Sequence, residues 1–66
     1  MGSRLAVEVD GVKLGDDEAR EVWARFSAFM DDQGDMQAFA KSEGVARVTT
    51  AIRSGVPTLI VTSRED

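Results

Sequence analysis

Two dipeptides that end in glycine constrain the fold of this chain more than any other feature. Asp10-Gly11 and Ser54-Gly55 each separate two runs in which apolar and polar residues alternate. A two-residue turn of type I′ needs a positive φ at both central positions, and dipeptides of this kind tolerate that conformation. The sequence therefore predicts two β-hairpins, one near each end of the chain, and the alternative for the first is one strand followed by a loop.

The alternation also predicts the pairing within the first hairpin. A two-residue loop pairs Val9 with Val12 and Val7 with Leu14. In this register the apolar residues of both strands, including Leu5, lie on one side, because a strand directs alternate side chains to opposite faces. We expect that side to face the core.

In the second hairpin, the same loop length pairs Arg53 with Val56 and Ile52 with Pro57. The face predicted to be the core side collects Ala46, Val48, Thr50, Ile52, Pro57, Leu59 and Val61. The outward face collects Val45, Arg47, Thr49, Ala51, Arg53, Val56, Thr58, Ile60 and Thr62. Because proline has no backbone donor, its strand is expected to lie at a sheet edge, at least at that end.

Two amphipathic helices are predicted between the hairpins. The first begins at Gly15 or Asp16, and Gly34 ends it. Its apolar residues recur at the spacing of one helical stripe: Ala19, Val22, Trp23, Phe26, Phe29 and Met30. Asp35 caps a shorter second helix that ends at Gly44. The inward residues of this helix are Met36, Phe39 and Ala40.

The predicted fold is one small α+β domain over residues 1–66, with a folded core of about residues 4–63. The elements follow the order ββααββ. The economical packing for this order is a small antiparallel sheet with two helices packed on one face. The other face of the sheet is then left without a helix.

The residue inventory excludes the common catalytic and metal sites. The chain has no cysteine and no histidine, so it lacks thiolate chemistry, imidazole catalysis, disulfides and the usual zinc ligands. No glycine spacing matches a nucleotide-binding loop. The acidic segment 31–35 fails the calcium-loop pattern, since the third and fifth positions counted from Asp32 are Gly34 and Met36. We therefore expect no enzymatic activity, no metal and no cofactor.

Charge and hydropathy favour a cytoplasmic protein. The net charge is −4, from 12 acidic and 8 basic residues. No apolar run approaches the ~18 residues that a membrane-spanning helix needs, and no signal-peptide pattern is present. We expect the chain to be soluble and not to bind membranes.

The outward face of the second hairpin is the predicted surface for self-association. A chain of 66 residues buries a small core, so a second copy is an expected source of further stability. The outward face carries Val45, Ala51, Val56 and Ile60, which a monomer would leave in water. The sequence predicts a homodimer that buries these residues, either by stacking two such faces or by joining strand edges.

Two charged groups are candidate contacts with other macromolecules. Asp17, Glu18 and Glu21 cluster at the start of the first helix and are predicted to face a partner protein that has a basic surface. Residues 45–63 carry Arg47 and Arg53 and no acidic residue. As an alternative, these two arginines on the outward face are candidate contacts with nucleic-acid phosphates.

These features together predict a small acidic, non-enzymatic protein-interaction module. It is expected to form a homodimer and to act as an adaptor, regulator or inhibitor of a partner protein. The alternative is a nucleic-acid-binding protein that uses the outward face of the second hairpin. The sequence contains no motif that identifies the partner.

Overall fold

The computed structural model describes residues 4–64. Its elements are β1 Ala6–Val9, β2 Val12–Lys13, α1 Asp16–Asp32, α2 Met36–Glu43, β3 Arg47–Arg53 and β4 Val56–Thr62. Within these residues, the strands form one sheet in the order β2-β1-β4-β3, and both helices pack against the same face. The α+β class and the ββααββ order are thus confirmed.

The sheet is mixed, so the prediction of a purely antiparallel sheet is wrong. Each hairpin is antiparallel, but β1 and β4 lie parallel, with Val7 opposite Leu59. A central strand has a strand neighbour along both edges and exposes less of its side chains than an edge strand, which favours an apolar sequence. β1 (AVEV) and β4 (VPTLIVT) are the more apolar strands of their hairpins. Joining them leaves the two-residue β2 and the Arg- and Thr-containing β3 at the edges.

Both hairpins close through the turns that the sequence predicts. The central residues of the two turns all have positive φ, from 52° to 85°. Val9 lies opposite Val12, and the β3–β4 register is the predicted one throughout. The Leu14 N–H donates to the Val7 carbonyl at 2.9 Å, which extends the first pairing beyond β2.

The two helices begin in different ways. Asp35 caps α2 as predicted, and its Oδ1 accepts hydrogen bonds from the N–H groups of Gln37 and Ala38 at 3.0 and 3.2 Å. Gly44, with a φ of 74°, ends this helix. The N-cap residue of α1 is Gly15, which offers no capping side chain, and three acidic residues occupy the first turn instead. Their carboxylates offset the positive end of the helix dipole. Neither helix has the length and apolarity that crossing a membrane requires within residues 4–64.

The core lies between the helices and one face of the sheet. Phe39 is at its centre, only 1% exposed, and its ring meets Phe26 and Phe29 edge-on at centroid distances of 5.3 and 5.5 Å. Val7 and Leu59, which are paired neighbours in β1 and β4, are fully buried beneath the helices. The aromatic stripe of α1 therefore packs into the core as predicted.

Two polar contacts hold α1 against the rest of the fold. Trp23 Nε1 donates a hydrogen bond to the Ala6 carbonyl at 2.7 Å. The Arg25 guanidinium contacts both carboxylate oxygens of Glu43, at 2.9 and 3.1 Å, and joins α1 to the end of α2. The hydrogen bond to Glu43 raises the pKa of Arg25 above its ordinary value. The contact also brings a positive charge to the C-terminus of α2, where the helix dipole favours one.

The helices do not cover every residue predicted for the core side. Val12 is 65% exposed and Ile52 is 69% exposed. Both residues lie in edge strands. Ile52 is at the end of β3 that α2 does not cover, because α2 lies over the first half of that strand, beside Val48. Only part of each predicted core face is therefore core.

Val45 was predicted on the outward face, and this placement is wrong. Val45 precedes β3 and packs against the core. Its N–H donates to the Ala40 carbonyl at 3.0 Å, so the residue still belongs to the end of α2. The alternation of side chains that applies within β3 therefore does not extend back to Val45.

Pro57 lies in a central strand, at a point where that strand has one neighbour. The β1–β4 pairing begins at Ala6 and Thr58, one residue after the proline. In a two-residue hairpin the first pair is hydrogen-bonded, so the next residue directs its backbone nitrogen away from the partner strand. The missing N–H of Pro57 therefore costs no bond to β3, and the expectation of an edge holds at that end alone.

Candidate interaction surface

The face of the sheet opposite the helices carries three of the four residues predicted for self-association. Ala51, Val56 and Ile60 lie on this helix-free face, and each is half-buried. No helix of residues 4–64 packs over them, since the helices contact the other face through residues such as Val48 and Leu59. The predicted placement is therefore right for these three and wrong for Val45.

An ion pair crosses the helix-free face. Arg53 in β3 and Glu8 in β1 flank β4, and their Nη2 and Oε1 atoms lie 3.6 Å apart. Arg53 is opposite Val56 and Glu8 is opposite Ile60, so the pair passes over Thr58, midway between them. Thr58 is only 1% exposed. The ion pair thus separates Val56 from Ile60 and makes the face less continuously apolar than the sequence predicts.

The two arginines proposed as nucleic-acid contacts are not brought together. Arg47 and Arg53 are exposed on the same face, at opposite ends of the seven-residue β3. At 3.3–3.4 Å per residue their Cα atoms are about 20 Å apart. The Arg53 guanidinium is directed towards Glu8 across the sheet. One of the two positive charges is therefore already close to a carboxylate.

The three acidic residues predicted to meet a partner lie in solvent at the start of α1. Asp17, Glu18 and Glu21 are all exposed. Asp17 and Glu18 belong to the first turn of a helix that has no side-chain cap, so their charges also stabilise that helix end. Their contact with a basic partner stays a prediction.

A basic pocket near the same helix end was missed in the sequence. Arg4, Lys13 and Arg20 line it together with Asp16. The three basic residues come from the start of the chain, from β2 and from α1, so no spacing in the sequence could have linked them. The pocket thus collects three positively charged side chains and one carboxylate.

The outer edge of β3 is a second feature that the sequence does not show directly. β3 ends the sheet, so one of its two sides has no strand neighbour within residues 4–64. The pair that closes a two-residue hairpin is hydrogen-bonded, and the pattern then alternates along the strand. Val48, Thr50 and Ile52 fall at the alternate positions, so their N–H and C=O groups point away from β4. This edge offers a row of unpaired backbone donors and acceptors.

An open groove runs beside this edge, between α2 and the start of β3. Its apolar wall includes Met36, Ala40 and Val48, and Lys41 and Arg47 also line it. The groove lies on the helix side of the sheet, the side on which Ile52 is exposed. The groove thus lies beside the start of β3, and the exposed Ile52 lies near the end of the same strand.

No family model, curated protein or solved structure matches this chain. Within residues 4–64, no three potential metal ligands lie close enough together to hold an ion. What the arrangement offers to another macromolecule is an unpaired strand edge, an apolar groove and exposed charged groups.

Proposed function

We propose that this chain is a non-enzymatic protein-interaction module that acts as a homodimer. One observation carries the proposal: within residues 4–64 the sheet has helices on one face only and ends in a long unpaired strand, β3. The apolar residue Ile52, in that strand, remains 69% exposed in a single copy. Burial of apolar area contributes about 25 cal/mol per Å², which matters for a chain with so small a core.

Binding to nucleic acid is the weaker alternative. Two arginines about 20 Å apart can neutralise few phosphates. Affinity for nucleic acid comes largely from the counterions that are released when phosphates are neutralised, so this contribution would be small. Arg53 also lies 3.6 Å from the Glu8 carboxylate. The net charge of −4 repels a polyanion. The geometry therefore favours a protein partner.

Sedimentation velocity over a concentration series tests the homodimer. A single chain has a mass of 7.1 kDa, and we expect the species at high concentration to have twice that mass. Added salt should change the equilibrium little if apolar burial and backbone hydrogen bonds dominate it. A chain that stays monomeric up to millimolar concentration would contradict the proposal.

The dimer is proposed to act on another protein, as an adaptor, regulator or inhibitor, through the acidic start of α1. Asp17→Lys combined with Glu18→Lys should weaken capture of a basic protein from an extract of the native host, and reversal of Glu21 as well should abolish it. The matched control is Asp31→Lys with Asp32→Lys, which makes the same change in charge at the other end of α1. If both double variants capture the same proteins as the unchanged chain, the acidic start of α1 is not the binding surface.

A further inference from the structure

We propose that the second copy binds along β3, so that the two sheets join into one continuous sheet and Ile52 of each copy enters the α2–β3 groove of the other. This inference rests on the proposed function, because it names the surface through which the homodimer forms. Three features of the edge carry it: its free backbone groups, its symmetry about Thr50, and the match between Ile52 and the groove.

β3 has the properties of a strand that is able to pair with another strand. It is seven residues long, with the sequence RVTTAIR. It contains no proline and no lysine, two residues that commonly keep exposed edge strands from pairing with other chains. The N–H and C=O groups of Val48, Thr50 and Ile52 all point outwards, as the alternation from the hairpin turn requires. The other edge strand, β2, has only two residues and cannot template a long pairing.

The three outward residues are symmetric about Thr50. In an antiparallel pairing centred there, Thr50 meets Thr50 of the second copy, and Val48 meets Ile52 of the second copy on either side. These are the residues whose backbone groups are free, so every outward donor and acceptor of the three finds a partner. A shift of two residues in either direction leaves one of the three without its pair. The register centred on Thr50 therefore pairs more of the free backbone groups of β3 than the registers shifted by two residues.

The same register places Ile52 in the groove. Ile52 and Val48 share the helix side of the sheet, and Val48 borders the groove that Met36 and Ala40 help to form. Ile52 of the second copy, opposite Val48, lies at the mouth of that groove. The two α2 helices lie over strand positions four residues apart, about 13 Å along the strand. That separation exceeds the 8–10 Å between packed helices, so the helices do not collide.

On the helix-free side, the register sets Arg47 opposite Arg53 of the second copy. Like charges directly opposite each other oppose pairing. The Glu8–Arg53 ion pair draws the Arg53 guanidinium inwards over the sheet and away from the edge. The ion pair thus reduces the repulsion between Arg47 and Arg53 of the second copy. If this register is right, removing that repulsion should increase the affinity of the dimer.

Ile52→Lys is the first test, with Val12→Lys as its matched control. Both residues are exposed apolar side chains in edge strands, at 69% and 65%, so neither change should prevent folding. The lysine at position 52 would meet the positive charge of Lys41 at the groove. In sedimentation velocity, Ile52→Lys should be monomeric at concentrations where the unchanged chain is a dimer, whereas Val12→Lys should dimerise as before. Circular dichroism should show the same melting curve for the two variants at low concentration.

Arg47→Glu is the second test. In the proposed register it places a carboxylate opposite Arg53 of the second copy, twice in each dimer. A favourable cross-strand charge pair in place of a repulsive one should lower the dimer Kd by roughly tenfold. The same change far from a dimer interface would leave the Kd unaltered, so an unchanged Kd counts against the register.

Amide hydrogen exchange measured by NMR locates the interface directly. The amides of Thr49 and Ala51 bond to β4 and should be protected at all concentrations. The amides of Val48, Thr50 and Ile52 should exchange fast in dilute solution and become protected as the concentration rises. Protection of these three that does not depend on concentration would overturn the proposal.

The variants also separate this inference from the function on which it rests. If Ile60→Lys, on the helix-free face, breaks the dimer while Ile52→Lys does not, the homodimer stands and the β3 edge is not its interface. If the unchanged chain is monomeric at every concentration, both proposals fail. If Ile52→Lys alone among the lysine variants is monomeric, the edge is the interface.

Discussion

The two hairpins share their turn chemistry and differ in their outer strands. Each closes with a two-residue turn in which both residues have positive φ. The outer strand of the first hairpin, β2, has two residues, whereas the outer strand of the second, β3, has seven. A short edge exposes few free backbone groups, and a long one exposes a row of them. The turn thus sets the register of a hairpin, while the length and sequence of its outer strand determine whether the edge of that strand stays unpaired.

The inner strands of the two hairpins, unlike the outer strands, depend on each other for their burial. β1 and β4 pair in parallel, and Val7 and Leu59 lie side by side in that pairing with no exposed area. Each hairpin thus completes the burial of the other. We expect the hairpins to unfold together even though their outer edges behave differently.

Leu59→Ala should have the largest effect on stability. Truncation of a fully buried leucine typically costs 2–5 kcal/mol, and a domain of this size is stabilised by about 3–10 kcal/mol in total. Urea denaturation should show most of the stability lost, and Val7→Ala in the other hairpin should lower the midpoint of the same single transition. Ile52→Ala, which removes an exposed side chain, should leave a dilute sample nearly unchanged. Two separate transitions in any variant would show that the hairpins are independent.

Trp23→Phe tests the anchor between α1 and the first hairpin. The change removes the hydrogen bond from the indole to the Ala6 carbonyl, which is 2.7 Å long, and keeps an aromatic ring beside Phe26. Loss of a partly buried hydrogen bond should cost about 1–2 kcal/mol in the free energy of unfolding. The second hairpin has no such anchor among the described contacts of α1. An unchanged midpoint in urea would show that the contact contributes nothing to stability.

Gly11→Ala and Gly55→Ala compare the two turns directly. The glycines have φ of 85° and 78°, and an added Cβ would meet no atom within 4 Å at either position. The cost is therefore backbone strain alone, about 1 kcal/mol in each case. Equal shifts of the urea midpoint would confirm that the turns are equivalent. A larger shift at one turn would show that its neighbours restrict it further.

Local chemistry explains why much of the fold could be predicted from the sequence. The two turns, both hairpin registers and the Asp35 cap each depend on residues close together in the chain. The aromatic stripe of α1 needed only the helical period. Ala51, Val56 and Ile60 could be placed on the helix-free face because strand alternation and the helix positions determine that face.

Most of the errors concern contacts between residues far apart in the sequence, whereas the misplacement of Val45 has a local cause, its hydrogen bond to Ala40. The parallel pairing of β1 with β4 follows from competition among whole strands for the buried centre, which no local pattern states. The exposure of Ile52 depends on where α2 ends over β3, and the Glu8–Arg53 pair spans three strands. The acidic start of α1 is recognisable in the sequence, but the absence of a side-chain cap is not, because Gly15 and Asp16 are both acceptable N-cap residues.

Asp10→Asn should have the smallest effect, and it appears as a change in pH dependence. Asp10, in the first turn, accepts a hydrogen bond from the Ser63 N–H at 3.0 Å, and hydrogen bonds from Ser63 lower the pKa of Asp10 below its ordinary value of 3.8. A lowered pKa in the folded state stabilises the fold above about pH 3.8 and loses that contribution as the pH falls through the lowered pKa. Asparagine tolerates positive φ, so the change isolates the charge from the turn. Urea midpoints should fall more steeply towards low pH in the unchanged chain than in Asp10→Asn. Ser54→Asp places a carboxylate at the equivalent position of the second turn, away from Ser63, and should not reproduce that slope; if it does, any carboxylate in a turn suffices and the contact with Ser63 is not the cause.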